Sequence, residues 1–177
     1  MDNLETEIKK AIRDIKDFPK EGIVFKDITP ILLNPLLCQE ITENIFNHFS
    51  GKKIDAILAI ESRGFLFGML LAQKFKVPFV PVRKKGKLPY KTFSFEYQLE
   101  YGSATVEIHN DALAIGSNVL IHDDLLATGG TATAAAELAK NFNANVVGYS
   151  FIVELDFLNG RSVLEKYTPD IFSLVRY

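Results

Sequence analysis

A chain of 177 residues, 47% of them hydrophobic, has material for one sizeable core, and residues 1–177 are read as a single domain. Its 20 Lys and Arg against 22 Asp and Glu leave a formal charge of -2. That excludes a general field for nucleic acid or an anionic membrane, so any anion must be held locally. Cys38, the lone cysteine, has no internal disulfide partner and no Cys or His at zinc-site spacing, which fits a reducing compartment.

The amino terminus meets acidic residues at once, at Asp2 and Glu5, so no secretory signal is expected. The longest apolar run, 65–72, is far short of the ~20 residues a membrane helix needs. Leu4, Ile8, Ala11, Ile12 and Ile15 recur at helical spacing and predict an amphipathic helix that stops before Phe18 and Pro19. Residues 22–30 are apolar without helical period and bracketed by Gly22 and Pro30, which predicts an extended covering loop. Asn34 and Pro35 supply an N-cap and a first-turn proline for a second helix, with Leu37, Ile41, Ile45 and Phe49 as its inner stripe.

Residues 54–60 read as a buried strand and 64–75 as a helix, with Glu61, Ser62 and Arg63 between them. The helix has no polar side chain from Phe65 to Ala72, so it is either sandwiched within the fold or set at a subunit contact; the contact, and with it a homodimer, is the expectation. A strand over 77–82 runs into the basic stretch Arg83, Lys84, Lys85 and Lys87. From Phe93 to Tyr101 aromatic and apolar residues alternate with Ser94, Glu96, Gln98 and Glu100, the mark of a half-exposed strand. Gly102 and Ser103 can turn it back through Val106 and Ile108 as a projecting hairpin. Strands at 119–121 and 146–153 flank an alanine-rich helix over 131–142. The alternation implies an α/β fold with a central, mostly parallel sheet flanked by helices.

The segment 122–132, HDDLLATGGTA, carries the chemistry: strand, carboxylate pair, glycine turn, helix. A helix start beyond the carboxyl end of a parallel strand offers free amides and a positive dipole end, so Ala127, Thr128, Gly129, Gly130 and Thr131 suit a phosphate. Asp123 and Asp124 would repel that phosphate unless they face hydroxyls or a metal; the vicinal hydroxyls of a ribose and a magnesium ion meet the requirement. A Walker loop is excluded because Gly130 is followed by Thr131 and not by lysine, and the dinucleotide fingerprint lacks its glycines. The basic run reads as a polyphosphate clamp for its own or a partner subunit's crevice. Nucleic-acid binding fits it less well in a chain of this net charge.

This segment resembles the PRPP signature of type I phosphoribosyltransferases, and its form is similar to their adenine-specific branch. So are GIVFKDITP at 22–30, ESRGFLFG at 61–68, RKKGKLP at 83–89 and LEYG at 99–102. The resemblance implies that fold, with a small N-terminal hood, and transfer of phosphoribose from PRPP to N9 of adenine in purine salvage, in the cytoplasm and without a nucleic-acid or membrane partner. It implies that Ala127 to Thr131 hold the 5-phosphate, that Asp123 and Asp124 serve the ribose and Mg2+, and that the magnesium is held mainly by substrate. Glu61, Ser62 and Arg63 would form the pyrophosphate loop around a cis Glu61–Ser62 peptide, with Arg83, Lys84 and Lys87 adding charge. Val24, Phe25 and Lys26 would border adenine, Lys26 through its backbone, with Leu125 and Leu155 closing the slot. Glu100 would be the acid/base and Tyr101 its neighbour on the closing hairpin. A transferase for another base, or a PRPP-binding regulator without catalysis, would share the phosphate loop. His122 reads as a structural histidine.

Overall fold

A computed structural model describes residues 2–98 and 102–177. Its centre is a seven-stranded sheet built from β3 (Ala56–Ile60), β4 (Phe79–Lys84), β5 (Thr92–Gln98), β6 (Ser103–His109), β7 (Asn118–Leu126), β8 (Asn145–Glu154) and β9 (Ile171–Arg176), in the order β5-β6-β4-β3-β7-β8-β9. From β4 to β9 every neighbouring pair is parallel. The antiparallel pair β5/β6 joins the edge through Arg83↔Glu107 and Lys84↔Val106, and its outer part, where Tyr97 faces Ala104 and Gln98 faces Ser103, runs past the end of β4.

The inner strands are apolar without interruption because both sheet faces are covered. Leu58, Ile121 and Phe151 turn to one core with α4 (Gly130–Lys140), while Ile57, Leu120 and Ile152 turn to the other with α2 (Pro35–Phe49) and α3 (Gly64–Phe75). Helix α2 starts as its sequence dictates: the Asn34 side chain accepts from the Leu37 amide at 3.2 Å, Pro35 takes the first turn, and Leu37, Ile41, Ile45 and Phe49 are buried. In α3 only one face is buried, through Phe67, Gly68, Leu71 and Ala72; Leu66, Met69 and Leu70 are exposed.

Several elements differ from the sequence expectation. The stripe that predicts a helix through Ile15 breaks earlier, since α1 (Asp2–Ala11) stops short of it, and Ile15 lies in β1 (Arg13–Lys16), opposite Phe25 of β2 (Val24–Asp27). The covering loop at 22–30 is therefore partly a strand, and the β1/β2 ribbon is the hood. Four residues with one apolar member fit either period, and the pairing gives the loop's backbone groups partners. Strand β7 does not stop at Ile121: its ladder with β8 continues through Asp123↔Phe151 to Leu126↔Glu154, because backbone pairing is indifferent to the charge of the side chains it carries. Lastly, α5 (Gly160–Leu164) and β9 follow the last predicted strand.

Candidate active site

The carboxyl ends of β3, β4 and β7 deliver their following residues to one side of the sheet, where ligands of open α/β folds bind. There a cavity of about 410 Å³ is lined by Phe25, Glu61, Ser62, Arg63, Lys84, Asp123, Asp124 and Leu125. Segments far apart in sequence thus meet as the motifs predict. The Glu61–Ser62 peptide is cis.

Burial pushes the Asp123 carboxyl well above the usual carboxylate range, and the neighbouring Asp124 charge pushes the same way. Burial also raises Asp124, against the opposing pull of Arg63. Asp123 Oδ1 accepts from the Asp124 amide at 2.8 Å. The backbone of α3 presses against this strand: a Cβ at Gly64 would lie 2.9 Å from Asp123 Oδ1 and 3.1 Å from the His122 carbonyl, so the helix start needs a glycine. Arg63 Nε stands 2.9 Å from Asp124 Oδ2, and its guanidinium carbon sits 4.7 Å from the Phe25 ring centroid. The close ion pair is not aligned as a hydrogen bond, and Asp124 Oδ2 is buried without a donor.

Several expected binding residues are engaged within the protein. Arg83 reaches Glu61 through Nε and Nη2, at 3.2 and 3.1 Å, and gives Nη1 to the Lys87 carbonyl at 2.9 Å. Glu61 also accepts from the Lys84 amide at 3.0 Å, and the Arg83 hydrogen bond holds its carboxyl below the usual range despite partial burial. The charges of Glu61 and Arg83 thus neutralise one another, and the pair braces the loop. Of the predicted cationic clamp, Lys84 is the member that lines the cavity. Glu107, which has no signature in the sequence beyond its place in an alternating strand, accepts from the Gly86 amide at 3.0 Å and holds the far side of the same loop, where Gly86 has φ +80°.

On the side of the hood, Phe25 packs edge-on against Phe18, with centroids 5.2 Å apart. Leu125 and Leu155 are half-buried against the core shared with α2 and α3, and Val24 is exposed. The Lys26 ammonium pairs with Asp14 at 2.8 Å and lies 3.7 Å from the Tyr177 ring centroid. Its charge is spent away from the cavity, leaving the backbone to do any binding.

The glycine loop follows directly on β7. Gly129 has φ +80°, and Thr133 donates its amide to the Gly129 carbonyl at 2.8 Å, which starts α4. The first-turn amides of a helix, here those of Gly130 and Thr131 among them, have no acceptor within it and point outward. Two supports escaped the sequence pattern because they come from distant segments. A Cβ at Gly160 would lie only 2.1 Å from the Ala127 carbonyl, so the start of α5 is pressed against the loop. Tyr97 of β5 places its hydroxyl 3.2 Å from Thr131 Oγ1. His122 is fully buried with Nδ1 2.9 Å from the Ser150 hydroxyl; burial drives its pKa down to about 3, so it is neutral and structural. Glu100 and Tyr101 lie outside the described residues.

The comparisons with known proteins agree with this geometry. Residues 27–174 match the phosphoribosyl transferase domain family. The chain is 50% identical over 174 residues to the adenine phosphoribosyltransferase of Cytophaga hutchinsonii, covering 98% of this chain and 96% of that protein. The crystal structure of the adenine phosphoribosyltransferase from Thermoanaerobacter pseudethanolicus superposes with a TM-score of 0.93 at 50% identity, covering 97% and 99% of the two chains. That of the Saccharomyces cerevisiae enzyme, complexed with an imino-altritol bisphosphate and adenine, gives 0.90 at 46% identity, covering 98% and 99%. With half its residues identical along nearly its whole length, and with the acid pair and arginine turn lining one cavity, the chain belongs to the phosphoribosyltransferase family, in its adenine branch.

Proposed function

We propose that the chain transfers the 5-phosphoribosyl group of PRPP to N9 of adenine, giving AMP and pyrophosphate in purine salvage. The observation that carries this reading is the meeting of Arg63, Lys84, Asp123 and Asp124 in one cavity, at the end of the strand that leads into the glycine loop. Amides and hydroxyls of Ala127 to Thr131 grip the 5-phosphate, and Asp123 and Asp124 accept hydrogen bonds from the ribose hydroxyls. Arg63 exchanges Asp124 for the pyrophosphate, where its planar fork suits bidentate binding, and Lys84 adds a second charge. Adenine lies between the Val24–Lys26 backbone, with Phe25 as its wall, and Leu125 and Leu155. The C1–oxygen bond to pyrophosphate breaks as N9 bonds to C1 through an oxocarbenium-like transition state, and Glu100 takes the purine proton. Tyr101 and the hairpin tip exclude water from that cation.

The acid pair also fits a magnesium ion. Asp124 Oδ2 is a buried acceptor without a donor, and with Asp123 beside it could share an ion carried mainly by substrate. Bound with PRPP, magnesium would neutralise charge on the leaving pyrophosphate.

A homodimer belongs to the same reading. It is supported by the exposed apolar side chains Leu33, Leu36, Leu66 and Met69 and by a groove of about 570 Å³ between α2 and α3, lined in part by Leu32, Pro35 and Leu70. No helix among the described residues is long and apolar enough to cross a membrane, and the unpaired Cys38 supports a cytoplasmic location.

The deciding experiment offers adenine, hypoxanthine, guanine and orotate separately with Mg-PRPP and follows nucleotide and pyrophosphate release. AMP formation from adenine, in large excess over the other three products, is expected. Preference for another base, or no turnover with any, rejects the reading.

A further inference from the structure

We propose that Tyr97 is a positioning residue of the phosphate site, donating its hydroxyl proton to Thr131 Oγ1 and so fixing the threonine hydroxyl with its own proton turned to the 5-phosphate. The inference rests on the reading above that residues 127–131 grip a phosphate. A hydroxyl has one proton and two lone pairs. If Thr131 donated to Tyr97, a phosphate arriving at Thr131 would meet only lone pairs, whereas donation from the more acidic phenol leaves the threonine proton to point outward. The 3.2 Å separation allows either direction, and an incoming anion selects the second. The phenol is held in place from behind. Tyr97 packs against the core with Phe93 and Phe95, and its ring lies so close to the start of α4 that a Cβ at Gly130 would be 3.3 Å from Cδ2. Removing the hydroxyl alone leaves this packing intact, so the role is separable from folding.

The test compares wild type, Tyr97→Phe, Thr131→Val, the double variant and Thr131→Ser by calorimetric titration with AMP and with adenosine, and by steady-state kinetics with PRPP. Tyr97→Phe is expected to weaken AMP about 3- to 10-fold, the worth of one hydrogen bond, and to raise the KM for PRPP with kcat nearly unchanged. Adenosine, which lacks the phosphate, should bind it as it binds wild type. Thr131→Val should abolish the effect of the tyrosine change and Thr131→Ser should retain it. Unchanged AMP affinity in Tyr97→Phe, equal losses for AMP and adenosine, or additive effects of the two substitutions would each overturn the proposal. Wild-type protein that bound neither AMP nor ribose 5-phosphate would sink the functional reading itself, and this inference with it.

Discussion

Substituting Gly160 by alanine should cripple phosphoribosyl binding from outside the glycine loop. The added methyl would stand 2.1 Å from the Ala127 carbonyl oxygen and 3.0 Å from the Gly129 amide nitrogen, whereas ordinary contact begins at 3.4 Å. Neither neighbour is a flexible side chain that could step aside. The start of α5 and the loop must therefore separate by roughly 1 Å, and a displacement of that size at a binding loop costs on the order of 100-fold in rate. Overpacking adds about 1–3 kcal/mol of lost stability. The loop and α5 are in close contact at a second point as well, since a Cβ at Gly129 would come within 2.6 Å of Val163 and 2.8 Å of the Gly160 carbonyl, and Gly129 already has φ +80°. The assay is kcat/KM for PRPP together with AMP affinity and a melting curve, with Gly51→Ala, whose new methyl meets nothing within 4 Å, as the control. If Gly160→Ala kept kcat/KM and AMP affinity within about twofold of wild type, the wedge between α5 and the loop would be no constraint on the site.

Other outcomes follow from the same structure. Glu100→Ala should lower turnover by about 100-fold or more while leaving AMP binding nearly intact, the pattern of a lost acid/base; parallel measurement of kcat and AMP affinity checks it. Burial opposes ionisation of Glu154, but Arg161, at 2.9 and 2.6 Å, and the Arg176 charge outweigh it and hold the carboxyl below the usual range. A depressed folded-state pKa means that the stabilisation is complete above the unfolded value of about 4.3 and is lost as pH falls through the folded one. Wild type should then melt above Glu154→Gln at pH 7, and the gap should close on acidification towards pH 3, as thermal scans across that range would show. Leu66→Glu combined with Met69→Glu should shift the protein to monomer in sedimentation velocity, because two exposed apolar side chains of α3 would carry charge into the proposed contact.

What the sequence makes legible is local. The Asn34 cap, the five-residue apolar run of β3 and the alternation of Phe93, Phe95 and Tyr97 each state their own geometry through period and side-chain chemistry, and the motif 122–132 states the phosphate loop. Contacts between distant segments leave no such mark. Nothing near Arg63 announces that its guanidinium lies between Phe25 and Asp124, and nothing near Gly160 announces the Ala127 carbonyl. Charge is also a poor guide to partners: Glu61 and Arg83 are charged residues beside the proposed pyrophosphate site, yet each is largely satisfied by the other. Ile15 shows the converse limit, because a single apolar residue in a short polar stretch carries no period, and the strand it joins is specified by pairing with Phe25.

The hood's attachment has a consequence for how the cavity would fail. A two-stranded ribbon is marginal on its own, and this one is moored through Lys26 to the aromatic ring of Tyr177, which Lys9 of α1 also approaches, at 5.5 Å. The same tyrosine exchanges backbone hydrogen bonds with Asp156 and Glu154, on either side of Leu155. One residue thus anchors both walls of the proposed purine slot. Loosening it would blur the discrimination among nucleobases well before it weakened the hold on phosphoribose.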